Sequence, residues 1–172
     1  AMGFPSADQL RKTDVVIVYA ADGMKIEGEQ RRNFEKFLQR GGGVVVIHDG
    51  IVSGQGSDNP DWTKDVIGGA WRWDRSEGGR TKWYEGEVGL YFVAPESPVV
   101  AGISNFDWKD EIYYDLDMAL DVNVLATSFH SVFIIAPQIW TYEKTRSGGT
   151  QPYRAFVSLP GHEYDVFNTP HY

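Results

Sequence analysis

The sequence predicts an α/β domain built on one mixed sheet. Two observations carry this: a strand–helix–strand succession opens the chain, and β-type runs dominate the rest. A third bounds it, since 172 residues make one domain of ordinary size. Residues 1–172 are therefore read as a single domain, with 1–13 as an extension before the first strand and Ala1-Met2 as a cloning remnant.

Asp14-Val15-Val16-Ile17-Val18-Tyr19 is short, apolar and β-branched, the pattern of a strand buried on both faces. Ala21-Asp22-Gly23 turns the chain. From Gly28 to Gln39 the period becomes helical, with Phe34, Phe37 and Leu38 on one stripe. Gly41-Gly42-Gly43 stops that helix. Val44 to Ile47 is a second apolar strand, ended by His48-Asp49-Gly50. Ser53 to Asn59 reads as a loop, Trp62 to Ile67 as a short helix, and Gly68 to Arg80 as a surface excursion. Strands follow at 88–93, 112–114, 122–126, 138–142 and 153–159, with a hairpin turn over Lys144 to Gln151.

Composition excludes several classes of function. Net charge is −8, from 16 Lys plus Arg against 24 Asp plus Glu, so phosphate backbones are repelled and nucleic acid is not an expected partner. No apolar run approaches the ~20 residues of a membrane span. There is no cysteine, which removes disulfides, zinc–thiolate sites and thiol nucleophiles. The N-terminus carries no secretory pattern, so the chain is expected in the cytoplasm, or in the periplasm or medium after loss of a leader.

Ligands of open α/β sheets bind beyond the carboxyl ends of strands. His48 directly follows one predicted strand and His162 comes just after another, each with an acid beside it, Asp49 and Glu163. Two imidazoles with a carboxylate suit a divalent metal such as Zn²⁺, Mn²⁺ or Mg²⁺, and equally suit general acid–base work. Asp110-Glu111, near Asp115 and Asp117, is the densest acid cluster and offers that carboxylate through Glu111. Gly54-x-Gly56 is a weak phosphate signal without a helix behind it. Aromatic rings are abundant, and a ring face can stack on a sugar while acids take its hydroxyls. Trp71, Tyr113 and Trp140 are the candidates, although Trp140 and Tyr142 alternate as one buried strand face would.

Gly41 to Asp49, Ile67-Gly68-Gly69-Ala70, Asp110-Glu111-Ile112-Tyr113-Tyr114, Pro137 to Glu143 and Pro160-Gly161-His162-Glu163 together resemble the successive signatures of ThuA-like (trehalose utilisation) proteins. The resemblance implies a class I glutamine amidotransferase-like, flavodoxin-like sheet, mainly parallel and flanked by helices. His48 stands where the amidotransferase cysteine would be expected. His162-Glu163 falls in the region of the amidotransferase His and Glu, here adjacent rather than spaced by one residue. Relative to the family pattern the chain starts late and stops early, as a fragment or minimal variant would.

The expectation is a sugar-processing domain acting on a disaccharide or keto-sugar by isomerase-type or hydrolytic chemistry. His48, Glu111 and His162 are its catalytic and metal-binding candidates, Asp49 and Glu163 their orienters, and Trp71, Tyr113 and Trp140 its substrate contacts. The alternative is a non-catalytic carbohydrate-binding or scaffold module. An exposed sheet edge is expected to favour a homo-oligomer. A shared site requires His48 and His162 to lie within about 10 Å of each other.

Overall fold

A computed structural model describes residues 4–53, 59–73, 80–130 and 134–170. The chain begins with helix α1 (Ala7–Arg11), whose start is fixed by a capping box: Ser6 and Gln9 each accept from the other's backbone N–H. Strand β1 (Val15–Val18), helix α2 (Gly28–Gln39) and strand β2 (Gly43–Ile47) follow. Phe34, Phe37 and Leu38 bury the apolar stripe of α2. Gly41 closes the helix at φ +86°, a left-handed conformation that glycine adopts without cost, and its N–H reaches Leu38 O.

Beyond β2 lie helix α3 (Asn59–Ile67) and strands β3 (Gly69–Ala70), β4 (Lys82–Phe92), β5 (Phe106–Tyr114), β6 (Asp117–Met118), β7 (Asn123–His130), β8 (Ile134–Lys144) and β9 (Tyr153–Ser158). Seven of them form one sheet in the order β1-β2-β9-β8-β7-β4-β5, and β3 pairs with β6. The sheet is mixed, as expected, but it is not mainly parallel. Only β1–β2 and β2–β9 run parallel, whereas β9–β8, β8–β7, β7–β4 and β4–β5 are antiparallel. The reason is connectivity. A parallel neighbour needs a crossover of a dozen or more residues, and after α3 consecutive strands such as β8 and β9 are joined by turns that return the chain antiparallel.

Two-sided burial of the first strand is also corrected. Val16 and Val18 enter the core, but Ile17 on the other face is 65% exposed. The described helices α1 to α3 pack with the cluster that takes in Leu10, Phe34, Val16, Val44, Val66 and Val157. A second cluster, around Leu90, Trp108, Ile112 and Leu125, fills the inside of the β4–β5–β7 half. Gly68 to Trp71 is no surface excursion either: β3 is buried against β6, and Trp71 belongs to the first core.

The antiparallel half curls. Irregular register between Val124 and Thr127 bends β7, as bulges do. Edge strand β5 is thereby brought back over β8, where Gln138 Nε2 donates to Tyr113 O at 2.8 Å. In this way β5, the far edge in hydrogen-bond order, reaches the carboxyl ends of β2 and β9.

Candidate functional site

Three segments converge at those ends. His48 and Asp49 begin a 3-10 turn (His48–Ile51) directly after β2. His162 lies between β9 and a terminal 3-10 turn (Tyr164–Asn168). Glu111 and Tyr113, two apart on β5, point to one face of it. His48 has φ +45°, a left-handed conformation costing a non-glycine residue about 1–3 kcal/mol.

The His48 ring is almost wholly buried, and its Nδ1 lies 2.7 Å from Leu159 O. A carbonyl only accepts, so Nδ1 carries the proton and Nε2 offers its lone pair. Burial lowers the His48 pKa below its ordinary 6.5, outweighing the Leu159 bond and the Asp49 and Asp110 charges, so the ring is neutral at pH 7. Nε2 faces His162 Nδ1 at 3.1 Å and Tyr113 Oη at 3.0 Å. Tyr113 gives its single proton to Asp49 Oδ1 at 2.5 Å. Burial foremost, then that bond, push the phenol pKa far upward, so it stays protonated. His162 Nδ1 also lies 3.1 Å from Glu111 Oε2. Burial raises the Glu111 pKa against the opposing pull of His162.

The loop carrying His162 is fixed from below. Asp110, fully buried, accepts three backbone N–H bonds: Gly161 at 2.7 Å, His162 at 3.1 Å and Glu163 at 3.0 Å. Tyr19 Oη donates to Gly161 O at 2.7 Å from the other side. The loop is thus held by backbone contacts, leaving the His162 ring free to serve the site.

His48, His162 and Glu111 each bring one ligand atom within 4.8 Å of the other two. With metal–ligand bonds near 2.1 Å, tetrahedral donor atoms sit roughly 3.4 Å apart, against two separations of 3.1 Å here and none above 4.8 Å. The backbone bond to Nδ1 is also the usual outer partner of a ligating imidazole. The donor set therefore fits a divalent cation with open positions for a ligand.

The sequence model of the ThuA (trehalose utilisation) family matches residues 2–172. This chain belongs to the ThuA family. Among solved structures, a ThuA-like protein of Bacteroides uniformis superposes with a TM-score of 0.70 at 18% identity, over 98% of this chain and 67% of that one. A Salmonella typhimurium protein described as cytoplasmic gives 0.63 at 17%, over 98% and 71%. A β-galactosidase from Rahnella gives 0.56 at 14%, over 90% of this chain but 22% of its own. These likenesses bear on the fold. A search of curated proteins finds no match. ThuA membership places the domain, at the level of the family, in trehalose utilisation. No helix among the described residues is long and apolar enough to cross a membrane.

Of the residues singled out from sequence, His48, Asp49, Glu111, Tyr113 and His162 meet in this cluster of the ThuA domain. Tyr113 enters through its hydroxyl, with its ring against His48 and edge-on to Trp71, so it has no free face for a sugar. Trp140 does not belong. It is fully buried, and its indole N–H bonds Ile67 O at 2.7 Å, so it offers no face to a ligand. Trp71 is mostly buried behind Tyr113. Glu163 contributes its backbone N–H to Asp110. The Gly54-x-Gly56 stretch lies outside the described residues. Sequence reading missed the role of Asp110. Its signal was available in Trp108-x-Asp110-x-Ile112, which puts a carboxylate on a face otherwise apolar, where burial demands donors.

Proposed function

We propose that this ThuA domain acts on a disaccharide or keto-sugar at the His48–Glu111–His162 cluster, assisted by a divalent cation. The observation that carries the reading is the His48 tautomer: the Leu159 carbonyl takes the Nδ1 proton and turns an unprotonated Nε2 toward two further donor atoms. Such a cation supplies Lewis acidity toward a carbonyl or hydroxyl oxygen. With Oε2 toward the cation, Glu111 keeps its second carboxylate oxygen to take a proton from the carbon beside a carbonyl or from an attacking water. His162, partly exposed beside it, would hold the cation through Nδ1. Tyr113, kept protonated by burial, donates to Asp49 beside the cluster.

The test is thermal unfolding with Zn²⁺, Mn²⁺ or Mg²⁺, alone and with disaccharides and their keto forms. A cation at a hundred times its Kd stabilises the fold by about 2.7 kcal/mol. That shift is expected in the parent and absent from His162→Ala and Glu111→Gln. An equal shift in those variants, or none with any metal, rejects the cation site. Turnover lost by orders of magnitude in His162→Ala marks an enzyme, whereas a binding module loses only affinity.

A further inference from the structure

A concavity adjoins Trp71, and neither His48 nor His162 lines it. It is lined by Trp71, Trp73, Arg80, Thr81, Lys82, Trp83 and Tyr114, with a volume of about 300 Å³. That is the lower end of the range for small-molecule sites. Two of its indoles are unusually open for such large apolar groups, Trp83 at 58% and Trp73 at 41% exposure.

The walls are held in place. The Trp73 N–H is anchored on Ser53 O at 2.6 Å, and its ring meets Trp71 at 5.6 Å and 63°, forming a V of two aromatic planes. Buried Thr81 ties the lining segments together: its N–H bonds Arg72 O, its Oγ1 accepts the Arg72 N–H at 2.9 Å, and it donates to Asp115 O. Trp83 stands on β4 in register with Tyr113 on β5.

Charge here runs against the rest of the molecule. The chain carries −8, yet the seven lining residues include two cations and no acid. Lys82 is neutralised, with its Nζ 2.6 Å from Asp115 and over the Tyr114 ring at 5.6 Å. Arg80 has no ion pair with any described residue, so one guanidinium is left facing the pocket's solvent. Open indole faces beside a guanidinium match a sugar ring that carries an anion. The ring's C–H faces stack on indole, and Arg takes a planar carboxylate or a phosphate in bidentate fashion.

We propose that this pocket is a binding subsite for an anionic sugar unit, with its ring against Trp83, the more open indole, and its carboxylate or phosphate on Arg80. The inference rests on the carbohydrate reading above and narrows its substrate class to charged sugars. Trp71 joins the two places, since it lines this pocket and touches Tyr113, which touches His48.

The experiment is isothermal titration of metal-free protein with D-glucose, D-glucuronate, D-glucose 6-phosphate and inorganic phosphate. One charged sugar is expected to bind at least tenfold tighter than glucose and than inorganic phosphate, and which one does so identifies the anion. Arg80→Gln should bring that ratio near one, and Trp83→Ala should weaken the charged sugar fivefold or more, both with unchanged circular dichroism. Equal binding of glucose and both charged sugars overturns the proposal, as does a ratio that survives in Arg80→Gln. Inorganic phosphate binding as tightly as the charged sugars overturns it too. His162→Ala separates this from the cation site: metal binding is lost there, while the sugar preference remains.

Discussion

His48 combines a strained backbone, a buried ring and a tautomer set by one carbonyl, and each has a measurable consequence. Because its pKa is lowered in the fold, the unfolded chain binds more protons between that lowered value and 6.5. Unfolding free energy therefore rises with pH across this window. The His48 contribution is complete above 6.5 and is lost as pH falls through the folded pKa. His48→Gln is expected to flatten that stretch of the stability–pH curve, measured by urea unfolding from pH 7 downward. Asp110 offers a second test at this scale. Asp110→Asn removes the charge and one acceptor oxygen from three backbone donors, and bonds to a charged group contribute about 1.5–3 kcal/mol. A loss of that order is expected in urea unfolding, together with weaker zinc binding as the His162 loop relaxes. Unaltered zinc affinity would separate Asp110 from the site.

Among the elements, the turn after β2 packs closely against the backbone of β1. A Cβ at Gly50 would stand 2.5 Å from Val18 O and 3.0 Å from a Val46 methyl. Backbone gives way poorly, so Gly50→Ala is expected to cost about 1–3 kcal/mol by urea unfolding and to shift the adjoining His48. Legibility in the sequence varied by element for physical reasons. The β1–α2–β2 unit was plain because Val/Ile runs, one apolar stripe and a glycine stop all agree. Helix α1 is signalled only by Ser6-x-x-Gln9, since its five residues bury Leu10 alone and show no stripe. The first half of β4 gives little signal because only Val88 to Leu90 of that strand are fully buried, and Tyr84 is its one apolar residue before them that packs on the core. Two-residue strands such as β3 and β6 have no periodicity to read.

At the scale of the molecule, sequence located the histidines at strand ends but had no means of bringing Glu111 to them. That depends on the curl of the antiparallel half, set by register irregularity in β7 and the Gln138–Tyr113 bond. The Trp71 and Trp73 pairing was legible from their spacing, whereas the Trp140 environment was decided by packing against α3. Strand β1 remains an edge, with Ile17 exposed on its uncovered face. Self-association through that edge is testable by sedimentation velocity. A larger, concentration-dependent species lost in Ile17→Lys supports it, and a single concentration-independent species rejects it.

The Leu159 carbonyl also has a temporal meaning. It lies 111 residues along the chain from the ring whose proton it accepts, and His162 lies 114 from that ring. Loop closure over such spans is slow, and local contacts form first. A ribosome-bound or proteolysed chain that ends before β9 would hold His48 but have nothing to choose between its two nitrogens. Competence of the cluster is thereby coupled to closure of the whole sheet, and a ligand that reads Nε2 would report completed folding.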